Sequence, residues 1–337
     1  MPPLLPAGLF VATLKLIAIG DWGADDQGQI QAAHGMKTVV NPNAALLLGD
    51  NFYTTGIHGT DHSARFQKTF EHVYDAHNLQ KIPFYAVAGN HDYYGNVSAQ
   101  IEYSKLSSRW NFPSRWYSKT FKVPETNRTF QMIMIDTVIA AGLADDDLQV
   151  IEQMDTMDTI CHKGACPHIA QEQWQWLDAT LRDSTADYLW VGGHHPIWSG
   201  CKHGPTPELV RLLKPRLEAA GAHYMSGHDH CMGHYMEDGK AMNHILAGAG
   251  HECCYQPYKQ KDIPSNATKF FVAGDKGEAH QKMPVSVISG FVTLTFSQTS
   301  SHVSFYAQDG TQLYTTPHIP PRSKQLRAFS SIKPSVD

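Results

Sequence analysis

The stretch Ala45-Leu46-Leu47-Leu48-Gly49-Asp50-Asn51-Phe52-Tyr53 is a short apolar run that ends in a glycine and opens into polar and aromatic residues. A run this short, bounded by turn formers, reads as a buried strand rather than a buried helix. The same design recurs along the chain. Residues 16–20 lead into Asp21, residues 85–89 into Asn90 and His91, residues 189–193 into His194, and residues 224–227 into His228 and His230. Residues 132–136 form a further run of this kind.

Amphipathic segments lie between several of these strands. Residues 63–76 space Phe66, Phe70 and Val73 as a helix would, and residues 171–181 do the same with Trp174, Leu177 and Leu181. Residues 208–219 follow with Leu209, Leu212, Leu213 and Leu217, where Pro215 is expected to bend or shorten the helix. Beyond residue 241 the pattern turns to strands at 242–246, 269–272, 285–296 and 302–307. Strand–helix alternation followed by an all-strand run predicts an α/β fold with mixed sheets and helices outside. Residues 138–170 are the least structured part, and Asp145–Asp147 within them read as a solvated loop.

In an open α/β sheet, ligands bind beyond the carboxyl ends of the strands. The polar residues after the strand ends can therefore converge although they span more than 200 positions of the chain. Carboxylate and phenolate oxygens suit a hard trivalent ion, and imidazole and amide donors suit a divalent one. A carboxylate can bridge two ions. Paired ions about 3.5–4 Å apart activate water and stabilise the attacking and leaving oxygens of an in-line displacement. Phosphoester hydrolysis is the reaction such a pair serves. Taken singly, Asp21 or Asp50 would be a turn or cap carboxylate, Asn90 a turn former and Tyr53 a packed aromatic. Their joint occurrence, each after a strand, points to metal.

The totals set bounds on this reading. The chain has 337 residues, 42% hydrophobic and 18% charged, with a net charge of -5, which is ordinary globular composition. The mild acidity leaves no electrostatic footprint for nucleic acid or an anionic membrane. No stretch reaches the roughly 18 apolar residues of a membrane span. Residues 1–13 read as a signal remnant or flexible N-terminus, 14–320 as one catalytic domain and 321–337 as a flexible tail. Six cysteines, with N-x-S/T glycosylation acceptors at Asn96, Asn127 and Asn266, point to the secretory pathway and a lysosomal or extracellular destination.

Five blocks, DWG at 21–23, GDNFY at 49–53, GNHD at 89–92, VGGH at 191–194 and GHDH at 227–230, resemble the metal-binding blocks of the purple acid phosphatases. Tyr53 is the most family-specific mark. Residues 96–114, HGPT at 203–206 and LAGAG at 246–250 resemble the small animal-type, tartrate-resistant branch. The resemblance implies a metallophosphoesterase-like four-layer sandwich, with two mixed β-sheets flanked by helices. It makes Asp21, Tyr53 and His230 ligands of a ferric ion. Asn90, His194 and His228 become ligands of a divalent iron, zinc or manganese, and Asp50 the bridge. Charge transfer from tyrosinate to Fe(III) gives such enzymes their colour. His91 and His203 would orient phosphate or protonate the leaving alcohol, and His195 would stand beside the site.

The implied activity is an acid phosphatase that hydrolyses phosphate monoesters through in-line attack by a metal-bound hydroxide. Its substrates would be small phosphate monoesters or phosphoproteins, and the protein is expected to be monomeric. The alternative is a phosphatase-like scaffold or anchor protein, although such relatives lose ligands and this chain keeps all seven. The bridge that the small animal enzymes form between the loop after DTV and the residues after HGPT is absent, since Ala140–Gly142 and Pro207–Glu208 stand there. Cys161 and Cys166 are expected to close a short loop, or with His162 and His168 to form a zinc site. Cys231 is expected to meet the vicinal pair Cys253–Cys254.

Overall fold

The computed structural model describes residues 12–141, 167–274, 278–279 and 284–323. The chain begins with β1 (Leu14–Ile19), α1 (Gln27–Met36), β2 (Ala44–Leu47), a π-helical turn (Phe66–Glu71) and β3 (Phe84–Ala86). It continues through α2 (Asn90–Tyr93), α3 (Val97–Tyr103), β4 (Trp110–Asn111), β5 (Tyr117–Lys122), β6 (Thr129–Met134) and α4 (Thr137–Ala141). Next come α5 (Pro167–Asp183), β7 (Tyr188–Gly192), α6 (Pro207–Ala220), β8 (His223–Ser226), β9 (Met232–Tyr235) and β10 (His244–Ala247). The last strands are β11 (Thr268–Ala273), β12 (Glu278–Ala279), β13 (Gly290–Phe296), β14 (Ser301–Ala307) and β15 (Gln312–Thr315).

Two mixed sheets result. One has seven strands in the order β15-β14-β13-β1-β2-β3-β4, and the other eight in the order β12-β11-β9-β10-β8-β7-β6-β5. Strands β1 to β4 are parallel to one another, as are β6, β7, β8 and β10. Apart from the two-residue β4, these parallel halves are strands read from the sequence as short apolar runs, buried as helix-covered parallel strands must be. Between the sheets, Phe130 of β6 stacks on Phe296 of β13 with centroids 4.2 Å apart. Leu177 and Leu181 of α5 and Leu209, Leu213 and Leu217 of α6 cover the outer face of the second sheet. Ala32, Ala33 and Met36 of α1 are buried against the first sheet. The order helix, sheet, sheet, helix is the expected four-layer sandwich.

Four expectations are corrected. Helix α6 runs unbroken past Pro215 to Ala220, because its three buried leucines offset the roughly 3 kcal/mol that an interior proline costs. The helix expected at 63–76 is confined to 64–71 and is mostly a π-helical turn, whose Thr69 carbonyl accepts from Gln29 Nε2 at 2.8 Å. The tail does not begin at 321: Arg322 is buried and its guanidinium donates to Ser184, Ala186 and Ala220 carbonyls at 2.7–3.0 Å. Cys231 pairs with Cys201, not with the vicinal pair, because the loops after β7 and β8 are neighbours; Cys253 and Cys254 pair with each other. Cys161, His162 and Cys166 lie outside the described residues.

Three buried histidines sit in the second sheet, away from the polar strand ends. Burial, with His234 and Arg322 nearby, pushes His223 down to about 3. Burial, then Lys214, His223 and His234, pushes His244 down to about 3. Burial and Lys269 outweigh the Asn243 hydrogen bond and push His234 down to about 4. All three stay neutral in the fold while the unfolded chain takes up protons below about 6.5. Their contribution to stability is thus full above pH 6.5 and declines as pH falls toward 3–4. Thermal unfolding should show this as a midpoint that drops between pH 6.5 and 5. His244→Leu should flatten that limb, and an unchanged slope would contradict the assignment.

Candidate metal centre

The loops that carry the expected ligands leave both sheets at the same edge. Asp21 follows β1, Asp50 and Tyr53 follow β2, and Asn90 and His91 open α2 after β3. His194 follows β7, and His228 and His230 follow β8. The two sheets touch where β1 and β8 end: a Cβ on Gly227 would lie 2.4 Å from Asp21 Oδ2. Aromatic anchors fix the loops from below. Trp22 and Phe52, neighbours of Asp21 and Tyr53, are fully buried with ring centroids 6.0 Å apart. Trp22 Nε1 also donates to Asn51 Oδ1 at 3.1 Å. Asp21, Asp50 and His228 all take positive φ, at 57°, 51° and 73°. Such angles are uncommon outside glycine and cluster at functional sites.

Two groups of donor atoms form. In the first, the Tyr53 hydroxyl lies 3.0 Å from Asp21 Oδ1 and 3.0 Å from His230 Nε2, which are themselves 3.6 Å apart. In the second, Asn90 Oδ1 lies 3.0 Å from His194 Nε2 and 3.1 Å from His228 Nδ1. Asp50 reaches both groups. Its Oδ1 is 3.4 Å from His194 Nε2, and its carboxylate acts on the Tyr53 phenol. Donors about 2.0–2.2 Å from one ion stand roughly 3.0–3.5 Å apart, so these spacings fit metal coordination.

The far side of the His194 and His230 imidazoles is held by an acceptor. His194 Nδ1 lies 2.9 Å from the Leu48 carbonyl, an acceptor, so Nδ1 carries the proton. Nε2 then faces Asn90 Oδ1 and Asp50 Oδ1, both acceptors, so positive charge is needed there, as a proton on the ring or as a cation in its place. His230 Nδ1 is 3.1 Å from Glu252 Oε2, and its Nε2 faces two phenols, Tyr53 at 3.0 Å and Tyr255 at 3.4 Å. Each group gathers oxygen and nitrogen donor atoms around one point, an arrangement that suits a cation.

Electrostatics agree. Burial, reinforced by Asp50, pushes Asp21 well above the usual carboxylate range, with His194 opposing. Burial also raises Asp50, but the charge and hydrogen bond of His194 outweigh it and lower the carboxyl overall. Burial disfavours charge on His194, yet Asp50 and Asp21 raise it to about 9. Burial and the same carboxylates push the Tyr53 phenol well above its ordinary value, so its ionisation requires a nearby cation. Buried charges are paired or bound to metal, and the ion pairs of Asp21 and Asp50 are with His230 and His194 alone among the described residues.

His91 and His203 border this cluster. The His91 ring lies 4.6 Å from Tyr53, with Nδ1 donating to the Thr54 carbonyl at 2.6 Å. His203 is exposed, 4.6 Å from His228. His195 is buried and tied to Thr137, its Nδ1 2.9 Å from Oγ1, and burial together with His194 holds it well below the usual imidazole value.

Sequence reasoning did not single out four supporting carboxylates and rings. Asp92 accepts from the backbone N–H groups of Asn51 and Gly89 and from Gln100 Nε2; burial and Asp50 raise it to about 6. Asp229 accepts from the N–H groups of His203 and Gly204 and so holds the HGPT loop. Glu252 orients His230, and Tyr255 stacks on it at 4.2 Å. Asp92 and Asp229 stand inside GNHD and GHDH, so the motifs themselves carried that signal; nothing local marks Glu252 or Tyr255.

A family model described as calcineurin-like phosphoesterase matches residues 14–232. Tartrate-resistant acid phosphatase type 5 of Rattus norvegicus is 35% identical over 315 residues, covering 90% of each chain. The protein of that name from Homo sapiens is 35% identical over 333 residues, covering 95% of this chain and 96% of its own. The chain belongs to the purple acid phosphatases. Within this family, purple acid phosphatase 4 of Arabidopsis thaliana is 30% identical, covering 90% of this chain and 82% of its own. The solved structure described as "GAP50 the anchor in the inner membrane complex of Plasmodium" shares the fold, with a TM-score of 0.73. It is 23% identical and covers 94% of this chain and 91% of its own. Family membership implies a binuclear metal centre, which the paired donor groups fit.

A Cβ on Gly89 would meet Asp50 Oδ1 at 2.2 Å and Asp50 N at 2.4 Å. Gly89→Ala should therefore displace Asp50 and cost most of the bound metal. Elemental analysis of the purified variant checks this, and full metal content would contradict it.

Proposed function

We propose that the cluster is an Fe(III)–M(II) centre, with M iron, zinc or manganese, that hydrolyses phosphate monoesters. Membership in the family makes the chain an acid phosphatase, a phosphoric monoester hydrolase. The observation that carries the reading is the pair of acceptor-rich groups with Asp50 reaching both. Asp21, Tyr53 and His230 would hold the ferric ion, Asn90, His194 and His228 the divalent one, and Asp50 would join them. Bound there, the ions would supply Lewis-acid activation of water and neutralise charge on the phosphoryl oxygens.

The remaining steps belong to side chains. Water adds in line to phosphorus as the ester P–O bond breaks, and the products are inorganic phosphate and an alcohol. His91 and His203, at the border of the cluster, hold the phosphoryl oxygens and give a proton to the departing alkoxide. His91 has one ring nitrogen committed to Thr54 and the other left for substrate. Asp229 fixes the backbone that carries His203. His195, buried against Thr137, supports His194 and takes no part in proton transfer.

Substrates of this centre are small phosphate monoesters or phosphoproteins, and the protein works as a monomer in a lysosomal or extracellular setting. No helix among the described residues is long and apolar enough to cross a membrane. Asn127 and Asn266 are exposed, the Asn266 amide donating to Asp238 Oδ2 at 3.2 Å; the Asn96 amide donates to Gly59 and its oxygen caps α3, so Asn127 is the acceptor best suited to glycosylation.

Purified protein should be purple or pink, carry about two metals and hydrolyse an aryl phosphate near pH 5 with tartrate present. Tyr53→Phe should bleach the visible band while leaving substantial hydrolysis. Asp50→Ala should lose both metal and turnover. A colourless, metal-free but folded wild type would favour the scaffold reading. Direct attack by water also excludes a covalent phosphoenzyme, so trapping one during turnover would contradict the scheme.

A further inference from the structure

Tyr53 is flanked by a second imidazole besides His91. The His251 ring lies 4.7 Å from the Tyr53 ring and 4.9 Å from the His230 ring. Its Nδ1 is 2.9 Å from Asp26 Oδ2 and donates to it, whereas Nε2 is buried with no hydrogen-bond partner. The other oxygen of Asp26 caps α1 by accepting from Gln29 N at 2.9 Å. One carboxylate thus ties the start of α1 to His251.

The backbone around His251 is held at several points. Gly28 in the first turn of α1 has no room for a side chain, since a Cβ there would lie 1.6 Å from the His251 carbonyl oxygen. Gly250 N donates to Gly20 O at 3.1 Å, next to Asp21, and Cys253 N donates to Ile288 O at 2.8 Å. His251 is therefore a fixed ring on a fixed loop, resting on two of the three side chains of the first donor group. A phenol and an imidazole that must meet an ion within about 0.5 Å need their rotamers locked by neighbours of this kind.

We propose that His251, held by Asp26, is a positioning residue that sets the Tyr53 phenol and the His230 imidazole for the cation they bind. The proposal rests on the metal assignment above and adds residues outside the seven ligands. It places no demand on the Asn90, His194 and His228 group, so the two ions should respond differently.

The test uses full-length, metal-loaded protein with His251→Ala and Asp26→Asn. Asparagine retains N-cap ability but turns one carboxylate oxygen into an amide donor, so it breaks the tie to His251 Nδ1 while keeping the ring. The readouts are the visible band and the rate at which each metal is lost to a chelator, followed by elemental analysis. Loss of partners that orient metal ligands typically costs 10–100-fold in metal affinity. Both variants should shift the band and lose the first ion about tenfold faster, with the second ion leaving at the wild-type rate. Wild-type band and release in either variant would overturn the proposal. So would equal acceleration of both ions, which marks general loosening. A colourless but metal-loaded wild type would sink the iron–tyrosinate assignment and still let the release rates decide the role of His251.

Discussion

Asp21 and Asp50 are almost fully enclosed at the seam of two sheets, where their ion-pair partners are imidazoles. Burying carboxylates at such a place is expensive unless positive charge compensates them. That requirement organises the surroundings. It accounts for the histidines gathered at the strand ends and for the phenol held beside both carboxylates. The backbone contributes as well, through positive φ at Asp21, Asp50 and His228. Strain of that kind persists only where the surrounding packing over-determines it.

The packing that holds the strain comes from the residues beside the ligands. Trp22 and Phe52 of the DWG and GDNFY blocks point into the core, where they join Phe66, Phe70, Tyr74 and Trp110 in one aromatic cluster, and Trp22 Nε1 donates to the buried Asn51. The DWG and GDNFY blocks therefore each have a polar half at the donor cluster and an apolar half that fixes it. Asp92 and Asp229 tie the blocks to one another through backbone N–H groups. The centre is built on the ends of parallel strands in both sheets, which explains how ligands more than 200 residues apart can converge.

Much of this was legible in the sequence. Parallel strands buried on both faces read as continuous apolar runs, and the glycine after each run located its polar loop. Three of the strands that escaped notice show why. β5 is largely exposed along its length, β9 follows the GHDH block without a break, and β15 is a polar edge strand. The Cys201–Cys231 pairing depends on β7 and β8 lying side by side, which no spacing reveals. The contact of His251 with Asp26 joins residues 225 positions apart and follows from how α1 meets the loop after β10. Likewise, the continuous α6 reflects burial of its leucines, a tertiary effect that overrides the local cost of Pro215.

The central claim is that two ions share the seam, one held by Tyr53 and the other by the three residues around the Asn90 amide, with Asp50 between. Anomalous X-ray scattering from crystals of the metal-loaded protein, recorded on both sides of the iron edge, tests it most directly. The account predicts two peaks about 3.5–4 Å apart, with an iron signal in bonding contact with the Tyr53 oxygen, Asp21 and His230. A single peak, or an iron position that leaves the Tyr53 oxygen uncoordinated, would contradict it.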